Sequence, residues 1–308
     1  MNIFQKLKEN IQDYQHLPDE TISLEQLTGW TNKVYKVSAP SKEPLIFREF
    51  GSVPLVSEQL ERRNFQMLSD ANLGPKLLAQ GEGFRVEQFL PGESLSRKEM
   101  GAYATQVGSV LSHFHQVQTG TGKPATQTFI ENWSELFLKQ SQTYELGENS
   151  PKLEELKTLT DPEAHKGVFS LLPKSDLVFS HNDFSYQNIL KTPNGLVIID
   201  FEYADLSFPG IDLANYVVDS MFDYSRSVYE YFPEDQLSPS EESELVGTYA
   251  QESNLNEEDL TNQVQACKAA VNFMGALWAA CNFTPPNYEY LEYSKVRLDL
   301  YNFYASRL

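Results

Sequence analysis

Between Leu177 and Tyr203 the chain reads LVFSHNDFSYQNILKTPNGLVIIDFEY. The residues able to do chemistry there are His181, Asp183 and Asn188 in a polar loop, and Asp200 at the end of the apolar run LVIID. Two apolar, β-branched runs flanking that loop and a Pro-Asn-Gly turn read as two short strands with charged residues at their exits. Carboxylate and amide oxygens converging at such exits suit a hard cation such as Mg²⁺, with phosphate oxygens completing its shell. The order Asp-x-x-x-x-Asn, then a strand ending in Asp, is an arrangement used for phosphoryl transfer. In it Asp183 accepts a hydroxyl proton while Asn188 and Asp200 hold metal. Each residue alone reads equally well as a loop cap or strand-end carboxylate; the three together, in this order and strand context, carry the catalytic reading.

The flanking sequence supplies elements to position them. Residues 4–14 read as an opening helix, 22–27, 33–37 and 45–50 as strands, 57–73 as a helix ended by Gly74-Pro75, and 76–80 and 84–90 as further strands. After Pro91-Gly92 the pattern turns helical over 96–117, 129–139 and 151–172, with exposed loops expected at 118–128 and 232–241. The expected fold is therefore α+β and bilobal, as in protein kinases. A small antiparallel-sheet lobe with one key helix, residues 1–90, would bind nucleotide, and a larger mainly helical lobe, residues 91–308, would hold the catalytic loop and the acceptor.

The first lobe offers contacts for a nucleotide. The turn 28–32 could fold over phosphates, with Thr31 and Asn32 as side-chain donors, although an ordinary hairpin turn explains it equally well. Arg48 lies in the apolar strand PLIFREF, where an unpaired cation is costly, so it needs a carboxylate or phosphate partner. Glu61 on the next helix is the expected partner, giving the strand-to-helix ion pair that positions nucleotide phosphates; the alternative is a surface arginine and a solvated glutamate.

Composition narrows the partners. With 43 acidic and 24 basic residues, a net charge of −19 and no Lys/Arg cluster, nucleic acid and anionic membrane are poor partners and a small cation is a better one. No run approaches the ~20 apolar residues of a membrane span and the amino terminus lacks a signal peptide's apolar core, so a cytoplasmic location is expected. Cys267 and Cys281 fall on one expected helix, where 14 residues at ~1.5 Å each separate them by roughly 21 Å; both read as buried thiols.

The blocks GWTNKVYKV, LGPKLLAQ, FRVEQFLPG, SHNDFSYQNIL, IDFEY, GIDLANYVVD and NYEYLEYSKVR together resemble the choline/ethanolamine kinase family over nearly the whole chain. The resemblance implies ATP-dependent, Mg²⁺-requiring phosphorylation of choline to phosphocholine, the first step toward phosphatidylcholine. Ethanolamine, or another small hydroxyl compound such as an aminoglycoside or thiamine, is the alternative acceptor. It also implies that Asp183 is the base, Asn188 and Asp200 the metal ligands, Arg48 the phosphate contact, and Glu87, Gln88, Phe89 and Leu90 the hinge whose backbone meets adenine. A homodimer is compatible with it. A pseudokinase would have no need of Asp183, Asn188, Asp200 and Arg48 together.

A quaternary ammonium has no hydrogen to donate, so aromatic faces and a carboxylate must hold it. From Gly210 the helix IDLANYVVDSMFDY places Asp212, Tyr216 and Asp219 on one face, which offers Asp219 as the countercharge. Tyr203, Tyr224, Trp278, Tyr288 and Tyr293 match family positions lining the acceptor pocket. Two departures stand out. Gly275-Ala276-Leu277-Trp278 replaces the usual Trp-Gly-Leu-Trp, which predicts a missing indole and a roomier pocket, and Asp219 replaces a usual Glu.

Overall fold

Val37 of KVYKVS and Leu45 and Phe47 of LIFRE turn to the same side and are buried at the centre of the first sheet. The computed structural model describes residues 2–27, 32–51, 55, 57–117, 120–144, 150–225 and 228–308. In chain order it begins with α1 (Ile3–Asn10), β1 (Ser23–Leu27), β2 (Lys33–Ser38), β3 (Leu45–Glu49), α2 (Glu58–Asp70), β4 (Leu77–Gly81), β5 (Phe84–Gln88) and β6 (Glu93–Ser94). Then come α3 (Ala104–His115), α4 (Ala125–Ser141), α5 (Ser150–Lys157), α6 (Pro162–Leu171), β7 (Val178–Ser180), β8 (Ile189–Thr192), β9 (Gly195–Ile198) and β10 (Asp205–Ser207). The chain finishes with α7 (Pro209–Asp219), β11 (Phe222–Asp223), β12 (Glu230–Tyr231), α8 (Pro239–Ser253), α9 (Glu257–Asn282) and α10 (Glu289–Ala305). Two compact units result: Met1–Glu93 with Leu190–Glu202, and Ser94–Ile189 with Tyr203–Leu308.

In the first unit five antiparallel strands run in the order β1-β2-β3-β5-β4. Val37, Leu45, Phe47, Phe84 and Val86 form one apolar cluster with Leu7, Tyr14 and Ile22, and the Phe47 and Phe84 rings stack 5.4 Å apart. Ser57 caps α2 by accepting the Leu60 N–H. The buried residues of α2 are Glu61, Asn64, Phe65 and Leu68, spaced 3, 1 and 3 apart, so a carboxylate sits on the same stripe as the apolar anchors. The β8–β9 hairpin belongs to this unit from Leu190 onward.

The second unit is mainly helical. Its α9, 26 residues long and capped by Asn256, packs against α4, α6, α7, α8 and α10. Both cysteines lie on α9 and are buried; burial pushes the Cys267 thiol far up and the Cys281 thiol up to about 12, so both are protonated and inert at neutral pH. No helix among the described residues is long and apolar enough to cross a membrane.

Several boundaries differ from those expected. The run LVIID, as β9, pairs with β8 across the Pro-Asn-Gly turn, a strand missed because ILKT is short and half polar, while β7 pairs with β10. Residues 151–172 do not form one helix: Asp161 caps a new one with Pro162 in its first turn, and the residue before a proline avoids helical angles. Helix α3 starts at Ala104 because Ser96 and Glu99 cap only a single 3₁₀ turn. Helices α4 and α8 reach into the expected loops, beginning at Ala125 and Pro239.

Candidate active site

Asp200 follows β9 with φ 67°, a left-handed conformation that is uncommon for any residue but glycine and that Asp tolerates better than most. Strain of this sort persists only where the surroundings hold it. Here Arg48 from β3 holds it, its Nη1 donating to Asp200 Oδ1 at 3.1 Å while its Nε donates to Glu87 Oε1 at 3.1 Å. Burial alone would lower the pKa of Arg48, but Asp200, Glu87, Glu61 and Glu202 together raise it above its ordinary value, so it is permanently charged.

The expected Arg48–Glu61 pair is not what forms. Arg85 from β5, fully buried, donates through Nη1 to Glu61 at 2.6 Å and through Nε to Glu87 Oε1 at 2.6 Å, so Glu61 is held by Arg85, and the hydrogen bonds that lead from it to Arg48 run through Glu87. Arg48 and Arg85 face each other directly across the β3–β5 ladder. Like charges so placed repel, and the Glu87 carboxylate between them makes the arrangement tenable. Sequence reading missed Arg85; the signal was Arg85 and Glu87 two apart in FRVEQ, hence on one face of a strand that is otherwise apolar.

Carboxylate oxygens of Glu61, Asp200 and Glu202 all lie within 4.8 Å of one another, an all-oxygen donor set of the kind a hard divalent cation takes. Asn32, expected as a phosphate donor, instead donates from Nδ2 to Glu202 at 3.2 Å and accepts the Gly51 N–H at 3.0 Å. Thr31 lies outside the described residues. The strand β5 ends at Gln88, where the Gln88 N–H donates to Lys76 O at 2.8 Å; Phe89 and Leu90 follow, half-buried, and Lys36 lies 4.7 Å from the Phe89 ring.

In the second unit the loop after β7 is fixed from beneath. Asp212, fully buried in the first turn of α7, accepts the backbone N–H groups of His181 at 2.6 Å and Asn182 at 2.8 Å, and His115 Nε2 lies 2.8 Å away. Asn182 adopts φ 61°, and its Nδ2 donates to the carbonyls of Ser180, Tyr203 and Asp205. This pinned backbone presents Asp183. Asn188 Nδ2 donates to Asp183 O at 2.9 Å and to Asp183 Oδ2 at 3.1 Å, so the expected base and one expected metal ligand are neighbours.

The residues expected to hold the acceptor separate into groups. Trp278 donates to the Tyr203 hydroxyl at 2.9 Å and meets the Tyr290 ring edge-on at 5.9 Å. Tyr288 packs instead on Phe283, 5.9 Å away. Asp219, 3% exposed, is already paired: Arg297 Nη2 donates to its Oδ1 at 2.7 Å and the Tyr224 hydroxyl at 3.1 Å. Arg297 lies 4.2 Å from the Phe222 ring and 5.1 Å from the Tyr293 ring, and also donates to the hydroxyls of Tyr224 and Tyr293. Gly275 does not border open space at its Cα. The space beside Gly275 is filled by Arg297, whose Cδ and Nε would stand 3.2 Å from a Cβ at that position.

The sequence from residue 24 to 302 matches the family model described as choline/ethanolamine kinase. This chain belongs to the choline/ethanolamine kinase family. It is 26% identical to a choline/ethanolamine kinase of Rattus norvegicus over 89% of this chain and 77% of that protein. It is also 26% identical to a probable ethanolamine kinase of Arabidopsis thaliana over 97% and 84%. The crystal structure of choline kinase from Cryptosporidium parvum Iowa II matches with a TM-score of 0.80 at 21% identity, covering 99% of this chain and 95% of that one. The fold is thus the α+β protein-kinase-like fold, and the protein is a kinase that transfers phosphate from ATP to an alcohol with Mg²⁺. In this choline/ethanolamine kinase family member Arg85, Glu202, His115 and Arg297, which sequence alone did not pick out, lie against residues that it did: Glu61 and Glu87, Asn32, Asp212, and Asp219.

Proposed function

We propose that the protein phosphorylates the hydroxyl of choline. Asp183 orients the hydroxyl and accepts its proton as the oxygen bonds to the γ-phosphorus; the bridging P–O bond breaks and ADP departs. Arg48 meets the phosphates, and the backbone of Glu87, Gln88, Phe89 and Leu90 meets adenine. Asn188 and Asp200, with Glu202 alongside, would hold Mg²⁺, which neutralises charge on the transferring phosphoryl group when bound.

The observation that carries the acceptor assignment is Asp219, a carboxylate buried among Tyr224, Tyr293 and Phe222 whose bonds to Arg297 and Tyr224 both use Oδ1. Oδ2 takes no hydrogen bond among the described residues, which leaves it for a substrate ammonium, and Trp278, Tyr203 and Tyr290 form an aromatic group of their own on the same unit. Ethanolamine is the second reading, favoured by Arg297: the protein's own cation already occupies the faces of Phe222 and Tyr293 that a quaternary ammonium would use. A homodimer and a cytoplasmic location go with this reading. ATP turnover over a panel of amino alcohols, with and without Mg²⁺, tests it. Choline giving the highest kcat/KM supports the proposal; a wide preference for ethanolamine replaces it with the second reading.

A further inference from the structure

Arg85 is completely buried, yet every polar contact it makes is to a carboxylate. Its Nε and Nη1 bind Glu87 and Glu61, its flat face lies 4.1 Å from the Phe65 ring and 5.4 Å from the Phe50 ring, and its Nη2 has no hydrogen-bond partner among the described residues. Replacing such a buried ionic group by apolar side chains is often neutral or stabilising, so stability alone does not account for an arginine here.

What the arrangement does fix is the direction of Arg48. Two of the three nitrogens of Arg48 are committed, Nε to Glu87 and Nη1 to Asp200, and Nη2 makes no bond among the described residues. Two bonds to a planar guanidinium set its plane, and so set where the open Nη2 points. One of those anchors, Glu87, presents a single oxygen, Oε1, to both arginines. Arg85 therefore determines where that oxygen sits, and Glu61 on α2 determines where Arg85 sits. The series runs Asp200, Arg48, Glu87, Arg85, Glu61, alternating in sign, from the end of β9 across two strands to a helix.

We infer that Arg85 is a positioning residue for the phosphate-binding cation: it transmits the placement of α2 through Glu87 to Arg48, in place of a direct ion pair between Arg48 and Glu61. The inference rests on the proposed contact of Arg48 with ATP.

A double-mutant cycle tests it on the whole enzyme, with Arg48→Ala, Arg85→Gln and the double variant compared for ATP KM, acceptor KM and urea unfolding midpoint. If Arg85 acts through Arg48, Arg85→Gln raises the ATP KM on the order of tenfold, as for coupled neighbours, leaves the acceptor KM within about twofold, and adds nothing further once Arg48 is gone. Arg85→Lys should recover only part of the loss, because one ammonium cannot reproduce the fork that spans Glu61 and Glu87. If Arg85→Gln does not fold, Arg85→Lys takes its place in the cycle. Multiplicative effects of Arg48→Ala and Arg85→Gln on ATP KM, or a fall in the unfolding midpoint with ATP KM unmoved, would overturn the relay while leaving the Arg48 contact standing. An unchanged ATP KM in Arg48→Ala removes the contact itself, and the relay with it.

Discussion

Arg297 lies against Gly275, its Cδ and Nε 3.2 Å from where a Cβ would stand, and from there its Nη2 reaches Asp219 at 2.7 Å. Arg297 therefore stands where a side chain at this position would start, and installing an indole should not complete an aromatic cage. Gly275→Trp should displace Arg297 and cost roughly 1–3 kcal/mol from overpacking alone. It should also raise the acceptor KM severalfold. Gly275→Ala should be close to neutral, since the roughly 1 kcal/mol that Ala gains over Gly in a helix offsets a contact needing only a few tenths of an ångström of give. Thermal unfolding and acceptor kinetics of the two variants decide the matter. A Gly275→Trp enzyme with tighter choline binding would show that Arg297 moves aside freely.

Asp219 and Arg297 stand or fall together. Asp219→Asn strands a buried guanidinium, which by analogy with broken buried pairs costs about 3–5 kcal/mol, and it removes the countercharge proposed for the substrate. The acceptor KM should rise more than in Tyr288→Phe, because Tyr288 packs on Phe283 and makes no described contact with Asp219. ATP parameters should not move. The informative control is Arg297→Met with Asp219→Asn, which removes both charges and should recover stability lost in the single variant. Recovery of stability without recovery of acceptor affinity separates the structural role of the pair from its substrate role.

In Asp183→Asn and Asp200→Asn the fold should survive. The left-handed backbone at Asp200 suits Asn as well as Asp, so the substitution changes charge without changing conformation. Asp183→Asn should lower kcat by about 10²–10⁴, the usual contribution of a general base, with ATP KM preserved. Asp200→Asn should weaken MgATP binding, with partial rescue at high Mg²⁺, and should also loosen Arg48, which loses its 3.1 Å partner. Near-normal turnover in Asp183→Asn would remove it from the role of base.

Some of this was legible in the chain and some was not, and the division follows sequence distance. Asp183, Asn188 and Asp200 are spaced within one loop and one hairpin, so their types and order suffice to name their chemistry. That Arg48 needed a partner was equally plain, since an arginine in an apolar strand always does. Which partner it takes was not, because three carboxylates compete and the winner depends on strand register: Arg48 faces Arg85, and only then does Glu87 become the bridge. Arg297 was hidden for the same reason, 78 positions from Asp219 and placed by the packing of α10 on α9 rather than by any local pattern. The His115–Asp212 support beneath the catalytic loop joins residues 97 apart.

Glu61 and Glu87 flank the same arginine yet are shifted in opposite directions. Burial pushes the Glu61 carboxyl above its usual range, outweighing Arg85 and Arg48; burial also acts on Glu87, but there Arg85 and Arg48 prevail and hold it below. A raised carboxyl keeps its proton in the native state where the unfolded chain has released it. Its contribution to stability therefore declines as pH rises from the unfolded Glu value of about 4.3 through the native pKa. A lowered carboxyl does the reverse: its stabilisation is complete above about 4.3 and is lost as pH falls through the native pKa. Urea unfolding of wild type, Glu61→Gln and Glu87→Gln across acidic pH should show this directly. The wild-type advantage over Glu61→Gln should shrink with rising pH above about 4.3, and its advantage over Glu87→Gln should shrink with falling pH below it. Each Gln also leaves a buried guanidinium less well satisfied, a cost of about 1–3 kcal/mol or more that displaces each difference curve without changing its slope. Difference curves with the same slope and window would mean that Arg85 does not divide its charge between the two carboxylates as the geometry has it.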